Sequence, residues 1–313
     1  MGRKRNGEFS VDRATLSNFS ERRQLLKLLL GIIFYPAAIA QASSRESAKY
    51  SVYWLNLGDG IVNSPAGTVV SKGPPGSLMK LVAAAALMEE NLPPAFRTID
   101  CRGTIVVNGR RYSCLHPHGR VSLTTAIGQS CNVFFAKAAG YLHLTTFFHY
   151  LKVLGIPRPQ AGKQAASRQS FASLDYVLGL APGFELSSLQ ILQLVGQIAT
   201  RGKMPPVRSV DQPERGTDRA TVSFADHTWN VLQEGMKLAG RSGTAKNLDP
   251  ENKLHVAVKT GTTLHGEKFQ SWLAGYFPYE APKYLFCIRA NVGASYDKAI
   301  PIARRFLFGR TWS

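Results

Sequence analysis

Three short strings hold the residues of this chain best equipped for chemistry: Ser77-Leu78-Met79-Lys80, Ser130-Cys131-Asn132 and Lys259-Thr260-Gly261. Together they could carry out acyl transfer. A serine hydroxyl attacks a carbonyl carbon when a base takes its proton, and Lys80, three residues on, shares a helix face with Ser77. An ammonium cannot accept a proton, so Lys80 needs burial or a neighbouring cation to lower its pKa, and Lys259 is the candidate cation. Ser130 can relay a proton between base and leaving group, and Asn132 can donate to Lys80 or to a substrate amide. Lys259, with the hydroxyls of Thr260, Thr262 and Thr263, suits a substrate carboxylate, and Gly261 lets another chain approach the backbone.

Each string has a structural alternative. Ser77 could be a helix N-cap beside a solvated Lys80. Ser130 and Asn132 could be a local cap or a satisfied buried amide. Lys259-Thr260-Gly261 could be a strand running into a turn. A second Ser-x-x-Lys, Ser295 to Lys298, shows how readily chance makes one, whereas Ser-x-Asn and Lys-Thr-Gly each occur once. The order of the three strings, each in a plausible local setting, favours the chemical reading.

The elements that must position them are legible in outline. Pro74-Pro75-Gly76 blocks a helix from running back through Ser77. Residues 78–90, alanine-rich and free of Gly and Pro, predict a helix that Ser77 opens, closed by Asn91 and Pro93-Pro94. A hydroxyl at that end meets unpaired N–H groups and the positive helix pole, which favour developing negative charge. Residues 51–57 alternate and predict a strand, with a turn at Gly58-Asp59-Gly60 and a partner over 61–70. Residues 121–154 and 187–199 read as helical, and 157–173 as loop. Residues 254–260 predict a half-buried strand ending at Lys259, 271–277 and 284–290 a hairpin, and 299–308 a terminal helix. Strands thus lie at both ends with helices between, which predicts a sheet built from both chain ends around a helical insertion.

The chain has 313 residues, 44% hydrophobic and 19% charged, a composition that excludes a disordered protein. Its net charge of +18 draws acidic polymers or anionic lipid heads, yet the basic residues are scattered, and solubility alone would explain them equally well. No phosphate-binding glycine loop and no cluster of basic residues with aromatics is present, so neither a nucleotide nor a nucleic-acid partner is expected. Residues 1–42 read as an address. Paired Arg22-Arg23 and Lys27 precede a thirteen-residue apolar run, and small-x-small sites fall at Ala38-Ile39-Ala40 and Ala40-Gln41-Ala42. The segment resembles a twin-arginine export signal, or an anchor if uncleaved, and leaves residues 43–313 as the exported domain.

Four cysteines are too few for a disulfide scaffold. Cys101, Cys114, His116 and His118 lie close in sequence without a standard zinc spacing, so a Cys101–Cys114 disulfide after export is weighed ahead of a metal. Cys131 and Cys287 read as buried small hydrophobes, and the two histidines as loop residues. No metal or cofactor is expected.

Across residues 48–313 the chain resembles the transpeptidase domain of penicillin-binding proteins. The likeness rests on Pro75-Gly76-Ser77-Leu78-Met79-Lys80, on His118-Gly119 before Ser130-Cys131-Asn132-Val133-Phe134-Phe135, and on Gly243-Thr244-Ala245 before Lys259-Thr260-Gly261-Thr262 and Trp272-Leu273-Ala274-Gly275-Tyr276. It implies an α+β fold, an antiparallel sheet of about five strands flanked by helices, with an inserted all-helical lobe and the active site between lobes. It implies acylation of Ser77 by a peptidoglycan stem peptide ending in D-alanyl-D-alanine. Lys80 would be the base and Ser130 the proton relay. The N–H groups of Ser77 and Thr262 would form the oxyanion hole, and Lys259, Thr260 and Thr262 would hold the terminal carboxylate. β-Lactams would acylate Ser77, and a cell-wall synthesis protein would be a partner. Glu185-Leu186-Ser187-Ser188-Leu189 looks like a loop before a helix, not a glutamate that holds a hydrolytic water, which counts against a class A β-lactamase. A class D-like β-lactamase, a β-lactam sensor and a non-catalytic scaffold stay open.

Overall fold

A computed structural model describes residues 50–65, 72–159, 174–209, 221–265 and 268–312. The export segment expected over residues 1–42 and most of the loop expected over 157–173 lie outside them. Among the described residues no helix is long and apolar enough to cross a membrane.

In chain order, β1 (Tyr50–Asn56) and β2 (Ile61–Asn63) lead to β3 (Lys72–Gly73), a 3₁₀ turn (Gly76–Leu78) and α1 (Met79–Glu89). Then come α2 (Pro93–Phe96), β4 (Ile99–Cys101), β5 (Thr104–Val107), β6 (Arg110–Ser113) and β7 (Gly119–Val121). Helices α3 (Leu123–Gly128), α4 (Asn132–Ala139), α5 (Leu144–Val153) and α6 (Leu174–Val177) follow. After β8 (Leu186–Ser187) come α7 (Ser188–Ala199), β9 (Arg208–Ser209) and α8 (Asp226–Arg241). The chain closes with β10 (Ala257–His265), β11 (Lys268–Phe277), β12 (Tyr284–Ala290), a π-helical turn (Ser295–Ala299) and α9 (Ile300–Phe308).

The main sheet runs β10-β11-β12-β1-β2-β9. Five strands are antiparallel, as the resemblance implies, and the two-residue β9 adds a parallel edge to β2. Side chains of one strand alternate between two cores. Trp272, Ala274 and Tyr276 of β11 face the helical insertion with Leu81, Phe134 and Ile191. Leu273 and Phe277 face the other way, with Val258, Ile288, Ala303 and Leu307 of the terminal helix layer. Buried on both faces, β12 is apolar from Tyr284 to Ile288 and at Ala290, with the buried Arg289 between.

Helix α1 is the hub of the insertion. Every residue from Met79 to Met88 is buried, so it has no solvent face and its alanines let neighbouring helices come close. The single charge in that stretch is Lys80, at 0% exposure. Deleting one of its large side chains, as in Leu81→Ala, costs about 2–5 kcal/mol.

Several expected boundaries move. The helix expected from residue 78 starts at Met79, behind a 3₁₀ turn that contains Ser77. Residues 121–154 are mostly helical, as expected, in three separate helices. The lobe is not all helical, because β4 pairs with β7 and β5 with β6 inside it. The strand expected over 254–260 begins at Ala257 and runs on to His265, so Lys259 lies within it instead of ending it. It is not half-buried there: residues 256–261 are all buried, because β10 is covered on both faces.

Candidate active site

Ser77 sits in the second position of the 3₁₀ turn, partly exposed, where no side-chain hydrogen bond caps a helix. The N-cap of α1 is Leu78, also without a side-chain bond. The structural alternative for Ser77, a capping hydroxyl, therefore does not hold, and its oxygen is left available. Two backbone contacts set this turn. Gly76, at φ +55°, takes a conformation that glycine adopts at little cost, and donates its N–H to Gly179 O at 3.1 Å. Pro74 O accepts from Trp272 Nε1 at 2.9 Å, which ties the approach to β11.

Strand parity brings β10 to the same place. Lys259 and Gly261 share the face of Ala257, toward the helices. A Cβ on Gly261 would sit 2.9 Å from Pro75 O and 3.5 Å from Leu78 Cγ, so only glycine lets the strand lie against the Ser77 turn. A Cβ on Gly76 would meet Thr263 Cγ2 at 2.7 Å and Thr262 N at 3.5 Å. The backbones of the Ser77 turn and of Thr262 are therefore neighbours.

Two lysines converge on Ser130. Lys80 Nζ donates to Ser130 O at 2.7 Å, to Asn132 Oδ1 at 2.6 Å and to Ser130 Oγ at 3.3 Å. Lys259 Nζ donates to the same Ser130 Oγ at 2.9 Å and to Thr260 O at 2.9 Å. Both lysines are 0% exposed. Burial lowers Lys80 to about 8. Burial first, and then the charge of Lys80, hold Lys259 well below the usual lysine value. Burial, one of the two causes expected for Lys80, lowers both amines, and repulsion between two cations is mutual.

Ser130 is held at φ +51°, a left-handed conformation unfavourable for a residue with a Cβ. Its N–H bonds to Ile127 O at 3.1 Å while Lys80 occupies its carbonyl. That strain turns the hydroxyl between the two ammonium groups, as backbone strain often does at functional sites. Asn132 opens α4. It accepts from Lys80 through Oδ1 and gives Nδ2 to Ser113 O at 2.5 Å, so it does not donate to Lys80 as expected.

The hydroxyl edge of β10 is braced from the other face. Thr260 Oγ1 lies 2.8 Å from Thr244 Oγ1, and Thr262 Oγ1 lies 2.8 Å from Ser295 Oγ. Ser295 Oγ also donates to Gly261 O at 2.8 Å. Sequence reasoning set Ser295 aside as a chance Ser-x-x-Lys serine and gave Thr244 no role. Their signal lay only in the fold, which returns both to β10. Beside Thr262 opens a cavity of about 580 Å³, lined by Arg110, Leu180, Phe184, Leu264 and Phe269. Ser187 caps α7 with Gln190 in a capping box, which bears out the reading of that segment as a loop entering a helix.

A second cluster abuts the site. Cys101 Sγ lies 3.8 Å from Cys114 Sγ, which lies 3.8 Å from Cys131 Sγ, and His118 Nδ1 lies 3.4 Å from Cys101 Sγ. All four cysteines of the chain are free thiols. The Cys131 thiol, foremost, draws Cys114 down to about 5 and is itself pushed up. Cys131 is buried in the core and His118 lies in a loop, as expected, but each also contacts a neighbouring cysteine, and Cys101 and Cys114 are not paired. These four residues are the group in the described structure able to hold a metal.

The family model of the penicillin binding protein transpeptidase domain matches residues 38–307. The chain belongs to that family. Its fold is similar to that of PBP2 from Pseudomonas aeruginosa in complex with WCK 5153, with a TM-score of 0.69 at 15% identity, over 86% of this chain and 76% of that one. Penicillin-binding protein PBP2 from Helicobacter pylori gives a TM-score of 0.66 at 20% identity, over 83% of this chain and 60% of that one. A complex between PBP2 and MreC from Helicobacter pylori gives 0.66 at 18% identity, over 85% and 63%. The chain spans about 60% of the length of that first Helicobacter pylori structure, and at such identities the likeness is one of fold. A comparison with curated proteins gave no match.

Proposed function

We propose that this chain is an exported serine D,D-transpeptidase or D,D-carboxypeptidase that acts on D-alanyl-D-alanine stem peptides of peptidoglycan and is acylated by penicillin at Ser77. The observation that supports this most is the sharing of Ser130 Oγ by Lys80, three residues after Ser77, and Lys259, on the strand whose Gly261 packs against the Ser77 turn.

Two buried amines 3.3 and 2.9 Å from one hydroxyl do not both keep a proton easily at neutral pH. A substrate carboxylate at the Thr260–Thr262 edge favours the proton on Lys259, whose charge then disfavours one on Lys80. Neutral Lys80 takes the proton of Ser77 as Ser77 Oγ bonds to the penultimate carbonyl carbon. The N–H groups of Ser77 and Thr262 receive the oxyanion. The C–N bond breaks as Ser130 hands a proton to the departing D-alanine nitrogen and recovers one from Lys80. An amine of a second stem peptide, or water, then attacks the ester and frees Ser77. A cell-wall synthesis protein is the proposed partner, in keeping with a fold shared with the PBP2–MreC complex.

The test is incubation of the purified chain with a fluorescent penicillin. A long-lived adduct lost in Ser77→Ala supports the proposal. Rapid turnover of the antibiotic would make the chain a β-lactamase, and a folded protein that takes up no label would make it a scaffold.

A further inference from the structure

We propose that Cys101, Cys114, His118 and Cys131 form a closed tetrahedral zinc site that pins the Ser130–Asn132 turn to the strands packed beside it. A tetrahedron with Zn–S bonds of about 2.3 Å has S···S edges of about 3.8 Å, and with Zn–N of about 2.0–2.1 Å its S···N edges are about 3.6 Å. The structure has S···S separations of 3.8 and 3.8 Å and an S···N separation of 3.4 Å. All four ligand atoms lie within 4.8 Å of one another, so the widest edge closes with a side-chain movement of about 1 Å.

The surroundings suit thiolate ligands. Asn132 N–H donates to Cys114 Sγ at 3.2 Å and Phe134 N–H to Cys131 Sγ at 3.3 Å, the outer contacts that steady metal-bound sulfur. Cys131 also caps α4, where the helix pole favours negative charge. A disulfide is the weaker account. It needs sulfurs about 2.05 Å apart and would use two of three adjoining thiols, leaving the third and the imidazole unexplained. Three thiolates and an imidazole in tetrahedral array select zinc among the divalent ions. Four protein ligands leave no open position for substrate, so the ion is structural.

Its place gives it consequence. The ligands come from β4, from the loop between β6 and β7, and from the N-cap of α4. Cys114 follows Ser113, whose carbonyl holds Asn132 Nδ2, and Asn132 Oδ1 holds Lys80. An ion there joins both sides of that contact. The metal question can be answered without penicillin, so its outcome is independent of the acyl-transfer proposal.

The experiment is metal analysis of the full chain after zinc loading and gel filtration. About one zinc per chain is expected for the wild type and for Cys287→Ala, and roughly a tenth of that or less for Cys114→Ser. Because Cys114→Ser could fail to fold, the wild type is also stripped with a chelator and loaded with Co²⁺. Intense thiolate-to-cobalt charge-transfer absorption with tetrahedral d–d bands is expected. Undiminished zinc in a folded Cys114→Ser, no thiolate–cobalt absorption in a folded wild type, or a Cys101–Cys114 or Cys114–Cys131 disulfide in peptide mapping of unreduced protein would overturn the proposal.

Discussion

Lys80 and Lys259, 179 residues apart in sequence, donate to one oxygen: Ser130 Oγ takes a hydrogen bond from Lys80 at 3.3 Å and from Lys259 at 2.9 Å. Two amines buried around one hydroxyl make a proton reservoir whose filling depends on pH. If Lys80 must be neutral to accept the Ser77 proton, acylation by penicillin will rise with pH and level off above about 8. Stopped-flow acylation rates across that range check this. A rate independent of pH would mean that Lys80 is not the base.

Asn132→Asp places a carboxylate where Oδ1 now accepts from Lys80. A carboxylate stabilises the ammonium, so the rise in acylation will move to higher pH and the rate at neutral pH will fall roughly tenfold or more. Asn132→Ala removes the acceptor without adding charge. It will slow acylation and leave the pH of the rise at or below its original position.

At φ +51°, Ser130 pays for its Cβ. Ser130→Gly and Ser130→Ala both lose the shared hydroxyl, and both will be slow to acylate, by about 10²–10⁴-fold. They will differ in stability. Glycine relieves the left-handed strain, so Ser130→Gly will be more stable than Ser130→Ala by about 1 kcal/mol in thermal unfolding.

Ser295 braces Thr262 and Gly261 from behind. Ser295→Ala leaves that buried carbonyl and hydroxyl without this partner, and will slow acylation roughly tenfold. Lys298→Ala, the other end of the same Ser-x-x-Lys string, will leave the acylation rate unchanged. Equal effects of the two variants would reject the bracing role.

Much of the fold was legible because its signals are local. The alternation of β1, the apolar run of β12 and the alanine content of α1 each point to one kind of element. Lys80, Ser130, Asn132 and Lys259 were legible as residue types at given spacings, and the structure brings all four into one hydrogen-bonded group. The 3₁₀ turn at Ser77 was not legible. Its cause is the contact of Gly76 with Gly179, about a hundred residues away. The positive φ of Ser130 was hidden likewise, because nothing in Ser-Cys-Asn announces it. The bracing by Ser295 and Thr244 needed the sheet register. Of the cysteine cluster, Cys101, Cys114 and His118 were legible as near neighbours in sequence, but Cys131, 17 residues beyond Cys114, joins them only when β4, β7 and α4 pack.

The central claim is that Ser77 is the acylated residue, served by Lys80, Ser130 and Lys259. Its most direct test is peptide mass spectrometry of the chain after brief exposure to penicillin. A single penicilloyl group on the peptide that contains Ser77, absent in Lys80→Ala, is the predicted result. An adduct on any other serine, Ser295 included, or none on a folded wild-type chain, would contradict it.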